Sequence, residues 1–524
     1  MYDYVIVGAG SAGCVLAARL TEDPEVKVAL IEAGGPDTDD EIHIPAAFGA
    51  LFKGRRDWDM NTEPEPGLNN RHCYLPRAKM LGGCSSMNAM VYIRGNRRDY
   101  DEWAENGAEG WSYDEVLPYF KRFEDNERGE DTYHGSGGAL PVREGRSMNP
   151  LADAFVEAAA QAGHEKNPDF NGARQEGFGR YQTTQSNGMR ASVSVTYLHP
   201  VMDRENLTVL TNSHALQILF DGDRASGVQI DRGGEIEDVH ASREVILSAG
   251  AYQSPQLLML SGIGPADQLP LFQIEVRKDL PVGQGLQDHC MTLINWTTDE
   301  ETLMSALTPE NVELLQTEGR GPLTSNIAEA GGFVRTRPGL DAPDCQFHCA
   351  PVLFYDEGLG ATVQDGFAFG PCVLKPTSRG AVTLRTPSPY SKPRILHNYL
   401  GSEEDRASIL AGVRVTLDIA RQDALKGVIT GTFRAPAADA SDEEIMAFVR
   451  ENSMTLYHPT STCAIGPVVD PRLRVHGVEG LRVVDASVMP SVVRGNTNAP
   501  VIMIAERAAD LIREDAKALS GATA

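Results

Sequence analysis

The sequence predicts an α/β fold, α+β overall, in which a parallel, helix-covered layer is combined with a discontinuous second domain built on an antiparallel sheet with flanking helices. Three observations predict it. The chain opens on an apolar strand, a glycine-rich turn, a small-residue helix and a second strand. Strands that end in glycine and small residues ahead of a helix return far downstream. Between those returns the pattern changes to strands with long polar interruptions, closed by helices. At 524 residues the chain also exceeds what one simple core accommodates.

The opening unit is the most explicit. Residues 2–7 form a short strand of β-branched and aromatic residues. Gly8, Gly10 and Gly13 follow in GxGxxG spacing, and residues 14–20 begin a helix. Gly8 permits the tight strand-to-helix turn, Gly10 lets backbone approach a pyrophosphate, and Gly13 lets helix and strand lie close. The helix N-terminus offers free N–H groups and a positive dipole end to phosphates. A strand over 26–31 ends at Glu32, beside Ala33, about 20 residues past the loop, where a carboxylate can bond ribose hydroxyls. This is a Rossmann-like dinucleotide cradle.

A long irregular stretch runs from Gly34 to about Pro76, of a length usually reserved for a lid or clamp. It ends in Met80-Leu81-Gly82-Gly83-Cys84-Ser85-Ser86-Met87-Asn88, whose glycines, hydroxyls and amide offer closely spaced donors to a polar ligand. Residues 98–125 read as helical, with Trp103, Trp111, Tyr119 and Phe120 as core aromatics. A helix is expected over 151–162 and short strands over 207–210, 215–220, 227–231 and 244–247. The last strand runs into Ser248-Ala249-Gly250, where Ser254 can cap a helix with Pro255 at its first position. His289, beside Asp288, reads as a structural hydrogen-bonder.

Strands over 330–335, 345–350, 367–374 and 381–384, with helices over 402–420 and 441–451, predict the separate antiparallel sheet. Strand alternation puts Cys345, Phe347 and Cys349 on one face and Gln346 and His348 on the other. That accounts for Cys-x-x-His-Cys better than a metal site does, and no metal is expected. Near the C-terminus, Tyr457-His458-Pro459 lies off any regular helix. A strand over 481–484 delivers Asp485 and Ala486 at its C-terminal end, where α/β sheets present ligand contacts. Gly495-Asn496-Thr497-Asn498-Ala499-Pro500 leads into a helix over 501–513, which leaves Asn498 just outside the helix N-terminus. The expected division is 1–147, 201–291 and 456–524 for the nucleotide-binding domain, and 148–200 with 292–455 for the substrate domain.

Composition narrows the function class. The formal net charge of −26 argues against nucleic acid, whose phosphates require a basic face. No run of about 18 apolar residues suggests a spanning helix. Eight scattered cysteines form no disulfide framework. With no room for a signal peptide ahead of Tyr2, a cytoplasmic location is expected, and peripheral membrane contact stays open.

The cradle, residues 78–96, residues 250–264 and the C-terminal blocks together resemble the glucose–methanol–choline (GMC) family of FAD-dependent oxidoreductases over essentially the whole chain. Residues 250–264 fit the family's second signature at every specified position. Residues 78–96 fit the first, with Cys84 where Ser or Thr is usual. Asn88-Ala89-Met90-Val91-Tyr92-Ile93-Arg94-Gly95 is nearest in character to bacterial alkanol and choline dehydrogenases. The resemblance implies FAD, held by Gly8, Gly10, Ser11, Ala12, Gly13, Glu32 and Ala33, by Met80, Gly82, Gly83, Ser86, Asn88, Ala89, Met90 and Val91, and by Ala249, Asp485, Ala486, Asn496 and Ala499. Some relatives tether flavin through a His next to that Asn; Met87 stands there, so non-covalent FAD is expected.

The resemblance further implies a catalytic pair, His458 as general base and Asn498 orienting the alcohol, with hydride passing to flavin N5 and a primary alcohol becoming an aldehyde. His348 and Tyr457 are substrate-pocket candidates. The expected partners are a small-molecule alcohol and an electron acceptor, O2 or a quinone-type molecule; a homo-oligomer stays open. The alternative on the same fold is a non-redox flavin-containing lyase similar to hydroxynitrile lyases. Ser461, and Ala464-Ile465-Gly466, depart from the family's Gly and Arg-Met-Gly after the catalytic His-Pro.

Overall fold

A computed structural model describes residues 1–147, 149–361 and 363–522, the last without the side chains of 519–522. Two sheets organise it. The first runs in the order Leu207–Leu210, Val28–Ile31, Tyr2–Val7, Glu235–Leu247, Arg224–Arg232, Ser213–Asp221, with Leu481–Val483 also paired to Glu235–Leu247. The 13-residue strand Glu235–Leu247 serves two layers. Its first half pairs antiparallel with Arg224–Arg232 and is mostly exposed. Its second half pairs parallel with Tyr2–Val7 and Leu481–Val483, where Val245, Ile246 and Leu247 are fully buried. Strands buried on both faces must be apolar throughout, as Val-Ile-Val and Val-Ala-Leu-Ile are. Ser11–Leu20 covers this layer together with the C-terminal helix Asn498–Ala522. Arg19 and the Tyr197 hydroxyl both bond the buried Glu506 carboxylate between them.

The second sheet is antiparallel, in the order Gly431–Arg434, Ile294–Thr297, Gly366–Val373, Cys345–Ala350, Ala330–Val334, Gly177–Arg180. Cys345, Phe347 and Cys349 pack into a core with residues of helices Pro150–Gln161, Glu403–Ala420 and Asp442–Asn452. The opposite face, with His348, looks toward the nucleotide-binding layer.

Four sequence expectations shift. The strand expected over 381–384 is Gly380–Thr383, and it joins Gln284–Leu286 and Arg394–Leu396 in a separate sheet. Val382 and Ile395 there pack into the core of the parallel layer, because a strand's own residues do not name its partner. Residues 98–125 hold two helices, Arg97–Glu105 and Tyr113–Phe123, each started by its own capping box at Asn96 and Ser112. Gly107 and Gly110, both at positive φ, break them apart, and Tyr119 is only partly buried. Ser254 is not a cap, because its helix is Gly250–Leu260, with Pro255 inside. The Ala251 carbonyl, which Pro255 cannot satisfy, accepts from Thr462 Oγ1 at 2.7 Å instead. Finally, 34–76 is less irregular than expected, holding the turns Pro45–Leu51 and Pro66–Leu68 and a small hairpin, Met60–Asn61 with Tyr74–Leu75.

Candidate active site

A single cavity of about 340 Å³ runs between the two sheets. It is lined by Glu32, Trp58, His214 and Ala215, by Gly8, Gly10, Ser11 and Ala12 of the glycine turn, and by Leu293, His348, Phe354 and His458. At the glycine turn backbone is fitted to backbone. Gly8 has φ +100°, and a Cβ on Gly13 would sit 1.9 Å from the Gly8 carbonyl oxygen. Gly83, at φ +51°, lies so close to the first loop that its Cβ would meet Gly10 Cα at 2.6 Å. The Gly82 N–H donates to the Ala9 carbonyl at 2.8 Å. Two loops more than seventy residues apart thus form one surface, which only glycine allows.

Carboxylates fix that surface. Glu32 accepts from the Ala9 N–H at 3.0 Å and the Gly34 N–H at 2.7 Å, and burial pushes its pKa up to about 7. Asp485 accepts from the Gly250 N–H at 2.9 Å, Ser254 Oγ at 2.6 Å and the Ser487 N–H at 2.8 Å, and burial raises it too. The helix Ser11–Leu20 has no side-chain cap at Gly10, so its first N–H groups are left for a ligand. An uncapped helix end, a glycine wall and a carboxylate just past the second strand fit an elongated dinucleotide. Gly8, Gly10, Ser11, Ala12, Glu32, Ala33, Gly83, Asn88, Ala89, Met90, Val91, Ala249, Asp485, Ala486 and Asn496 all line the cavity.

Five expected contacts lie behind the wall. Gly13 and Gly82 act through close packing, Ser86 Oγ bonds the Leu81 carbonyl at 2.9 Å, Met80 sits in an apolar cluster with Ile42 and Leu51, and Ala499 is core. Trp58, His214 and the aromatic wall of Phe48, Phe52 and Phe354 were not singled out from sequence. They come from the irregular stretch and from strand ends, where alternation gives no warning.

The expected approach of Asn498 to His458 is not the one the structure makes. Asn498 Oδ1 accepts from Ser11 Oγ at 2.7 Å and belongs to the first turn of its helix. Asn496 Nδ2 lies 3.3 Å from His458 Nε2 instead. The helix begins at Asn498, two residues ahead of Pro500, since proline is tolerated through the first turn and not only at its start. Asn498 therefore points toward the glycine loop, and the residue in the extended approach, Asn496, reaches the imidazole.

His458 is held tightly. Its backbone N–H donates to Asp288 Oδ1 at 2.7 Å, and its Nδ1 meets His289 Nδ1 at 2.9 Å. Tyr457, just before it, has φ +69°, an uncommon conformation for an aromatic residue. The strain is pinned by Thr455 Oγ1, which accepts the Tyr457 N–H at 2.7 Å, and by Arg77, which donates to the Tyr457 carbonyl at 3.0 Å. Burial, then the neighbouring His289, His348 and Arg77, holds the His458 pKa well below its ordinary value, so the ring is neutral. His348 is buried, and neither ring nitrogen has a partner among the described residues; burial drives its pKa down to about 3. The arrangement offers a neutral imidazole and an amide to a polar group entering an otherwise apolar chamber.

The N-terminal GMC oxidoreductase family model matches residues 2–291 and the C-terminal one residues 376–505. The chain belongs to the GMC oxidoreductase family. It is 44% identical to an alcohol dehydrogenase [acceptor] of Pseudomonas putida over 98% of this chain and 96% of that one. It is 46% identical to an oxygen-dependent choline dehydrogenase of Burkholderia multivorans over 98% and 93%. Among solved structures, pyridoxine 4-oxidase from Mesorbium loti superposes with a TM-score of 0.90 at 32% identity, covering 97% of this chain and 99% of that one. In this GMC oxidoreductase no metal-binding cluster occurs among the described residues, and the eight cysteines are free. No described helix is long and apolar enough to cross a membrane.

Proposed function

We propose that this GMC flavoprotein oxidises a primary alcohol to an aldehyde, with His458 Nε2 as the base and Asn496 Nδ2 as the donor that orients the substrate oxygen. The cofactor is FAD; when bound, it supplies the acceptor for the hydride leaving the alcohol carbon. The observation that carries the reading is the His458–Asn496 pair at 3.3 Å on the wall of the cavity that also holds the glycine cradle.

The chemistry follows from the residues. An alcohol hydroxyl placed between the two side chains can donate to the bare imidazole nitrogen and accept from the amide N–H. As negative charge grows on the oxygen, the amide bond to it strengthens and the imidazole takes the proton. Leu293, Phe354, Leu456 and Ala350 give the chamber an apolar lining, which lowers the dielectric in which both bonds act. Among the described residues the carboxylates lining the cavity are Glu32 and Asp485, both bonded to the cradle's backbone, which leaves none beside His458 to pair a quaternary ammonium and favours an uncharged alcohol over choline. The names of the P. putida and B. multivorans relatives support alcohol oxidation. The electron acceptor is O2 or a quinone-type molecule.

Product analysis tests the reading. With an artificial electron acceptor, uncharged primary alcohols should yield equimolar aldehyde and reduced acceptor. Cyanohydrin cleavage without acceptor reduction would make the protein a lyase and overturn the proposal.

A further inference from the structure

The sequence reads His289 as a structural hydrogen-bonder, yet it meets the candidate base ring to ring. His289 Nε2 lies 3.0 Å from the Leu374 carbonyl, which can only accept, so the proton of neutral His289 is on Nε2. Its Nδ1 is then an acceptor, and the 2.9 Å approach of His458 Nδ1 requires that nitrogen to carry the proton. The other end of His458 imposes the same answer independently. Gln346 Nε2 donates to Asn496 Oδ1 at 3.0 Å, which turns the Asn496 NH2 toward His458 Nε2. Gln346 is itself oriented by Tyr181, whose hydroxyl donates to the Phe347 carbonyl at 2.6 Å and accepts from Gln346 Nε2 at 3.1 Å.

From these contacts we infer that His289 is a positioning residue that fixes His458 in the Nδ1–H tautomer and keeps its Nε2 unprotonated, accepting from the Asn496 amide until a substrate hydroxyl takes that place. Every bond from Gln346 through Asn496, His458 and His289 to Leu374 points the same way. Backbone carbonyls anchor both ends. A histidine in the wrong tautomer presents N–H to the alcohol and cannot act as a base.

The surrounding charges are consistent with neutral rings. Asp288, beside both histidines, bonds their backbone N–H groups at 2.7 and 2.9 Å, Thr455 Oγ1 at 2.6 Å and the Tyr399 hydroxyl, so it accepts from neither ring. His348 and Arg77 lie near enough to disfavour a cation at His458. Burial holds His289 down to about 4. When Nε2 takes the substrate proton, the O–H bond breaks, an N–H bond forms, and the Nδ1 proton stays on His458, accepted by His289. The neighbour acts by accepting a hydrogen bond, and no second proton transfer is needed.

The inference rests on His458 being the base, and its test includes an arm independent of substrate. Nitrogen-15 NMR of the histidine-labelled holoprotein, with His458 assigned by loss of its signals in His458→Gln, should show a protonated Nδ1 and a bare Nε2. In His289→Leu the tautomer should shift, and kcat/KM should fall on the order of a hundredfold. His289→Asn, whose Oδ1 can still accept, should retain the tautomer and stay within about tenfold of the parent. A bare Nδ1 on His458 in the parent protein overturns the inference. So does loss of activity in His289→Leu with the tautomer unchanged. If His289→Leu does not fold, the parent spectrum alone decides. The expected tautomer in a protein that turns over no alcohol would count against the proposed function and leave this assignment standing.

Discussion

Gly10, which precedes the helix Ser11–Leu20, and Gly13, in its first turn, stand three residues apart, and their alanine variants should fail in opposite ways. A Cβ on Gly13 would sit 1.9 Å from the Gly8 carbonyl oxygen and 3.4 Å from Leu30 Cδ1. Neither the strand nor the helix can yield, since both are buried backbone, so overpacking costs about 1–3 kcal/mol or more. The propensity gain of alanine in a helix, about 1 kcal/mol, does not offset it. A Cβ on Gly10 would meet nothing closer than Gly83 Cα at 3.9 Å, and Gly10 has an ordinary φ of −83°. Its effect on the apoprotein should stay within about 0.5 kcal/mol. That Cβ would nonetheless stand on the cavity wall where the cofactor's phosphates must approach backbone. Gly10→Ala should therefore lose at least about tenfold in FAD affinity, or 1.4 kcal/mol, with an unchanged apoprotein melting temperature. Gly13→Ala should melt well below the parent. Thermal melts of apoprotein and flavin titration read the two effects separately. A Gly10→Ala protein that binds FAD like the parent, or a Gly13→Ala protein that melts like it, refutes the reasoning.

Other perturbations separate roles in the same way. Asn496→Ala should lower kcat/KM about 10- to 100-fold with FAD retained, whereas Asn498→Ala, which frees Ser11 Oγ, should weaken FAD binding more than turnover; steady-state kinetics beside flavin titration distinguish them. His134 is opposed by burial but raised to about 9 by hydrogen bonds to Asp169 and Glu124. A raised histidine contributes stability that is complete below about pH 6.5 and is lost as pH rises through about 9. Melting temperature should accordingly fall between those values, and His134→Gln should flatten that part of the profile; an equally steep profile in the variant removes His134 as the cause. The strained Tyr457 backbone predicts that Arg77→Met, which removes the donor to its carbonyl, slows turnover with little change in FAD affinity. Equal losses in both would assign Arg77 to the cofactor instead.

The nucleotide-binding cradle is legible because Gly8 and Gly13 answer backbone demands that no other residue meets, Gly10 leaves room at the cavity wall, and the helix and strands around them are local. The antiparallel sheet was legible as strands, and Cys345–Ala350 lies within the bounds its alternation predicts. Which sheet a strand joins is a long-range choice, and so Gly380–Thr383 was placed with the wrong neighbours. Asn498 is expected beside His458 and Asn496 is found there, a difference of two residues in helix register. Proline at the first position is a preference, and here the helix starts earlier. His289 could not be paired with His458 from sequence, since 169 positions separate them. The signal that could have raised it was Asp288-His289 leading into a strand, a dipeptide able to hold a partner by both backbone and ring.

The central claim is that His458 removes a proton from an alcohol as hydride leaves for the bound flavin. The direct measurement is anaerobic mixing of FAD-loaded protein with a series of uncharged primary alcohols while flavin absorbance is followed. The account predicts bleaching in the parent protein, slowed on the order of 10²- to 10⁴-fold in His458→Gln. Persistent colour in the parent with every alcohol, or equal bleaching in the variant, would contradict it.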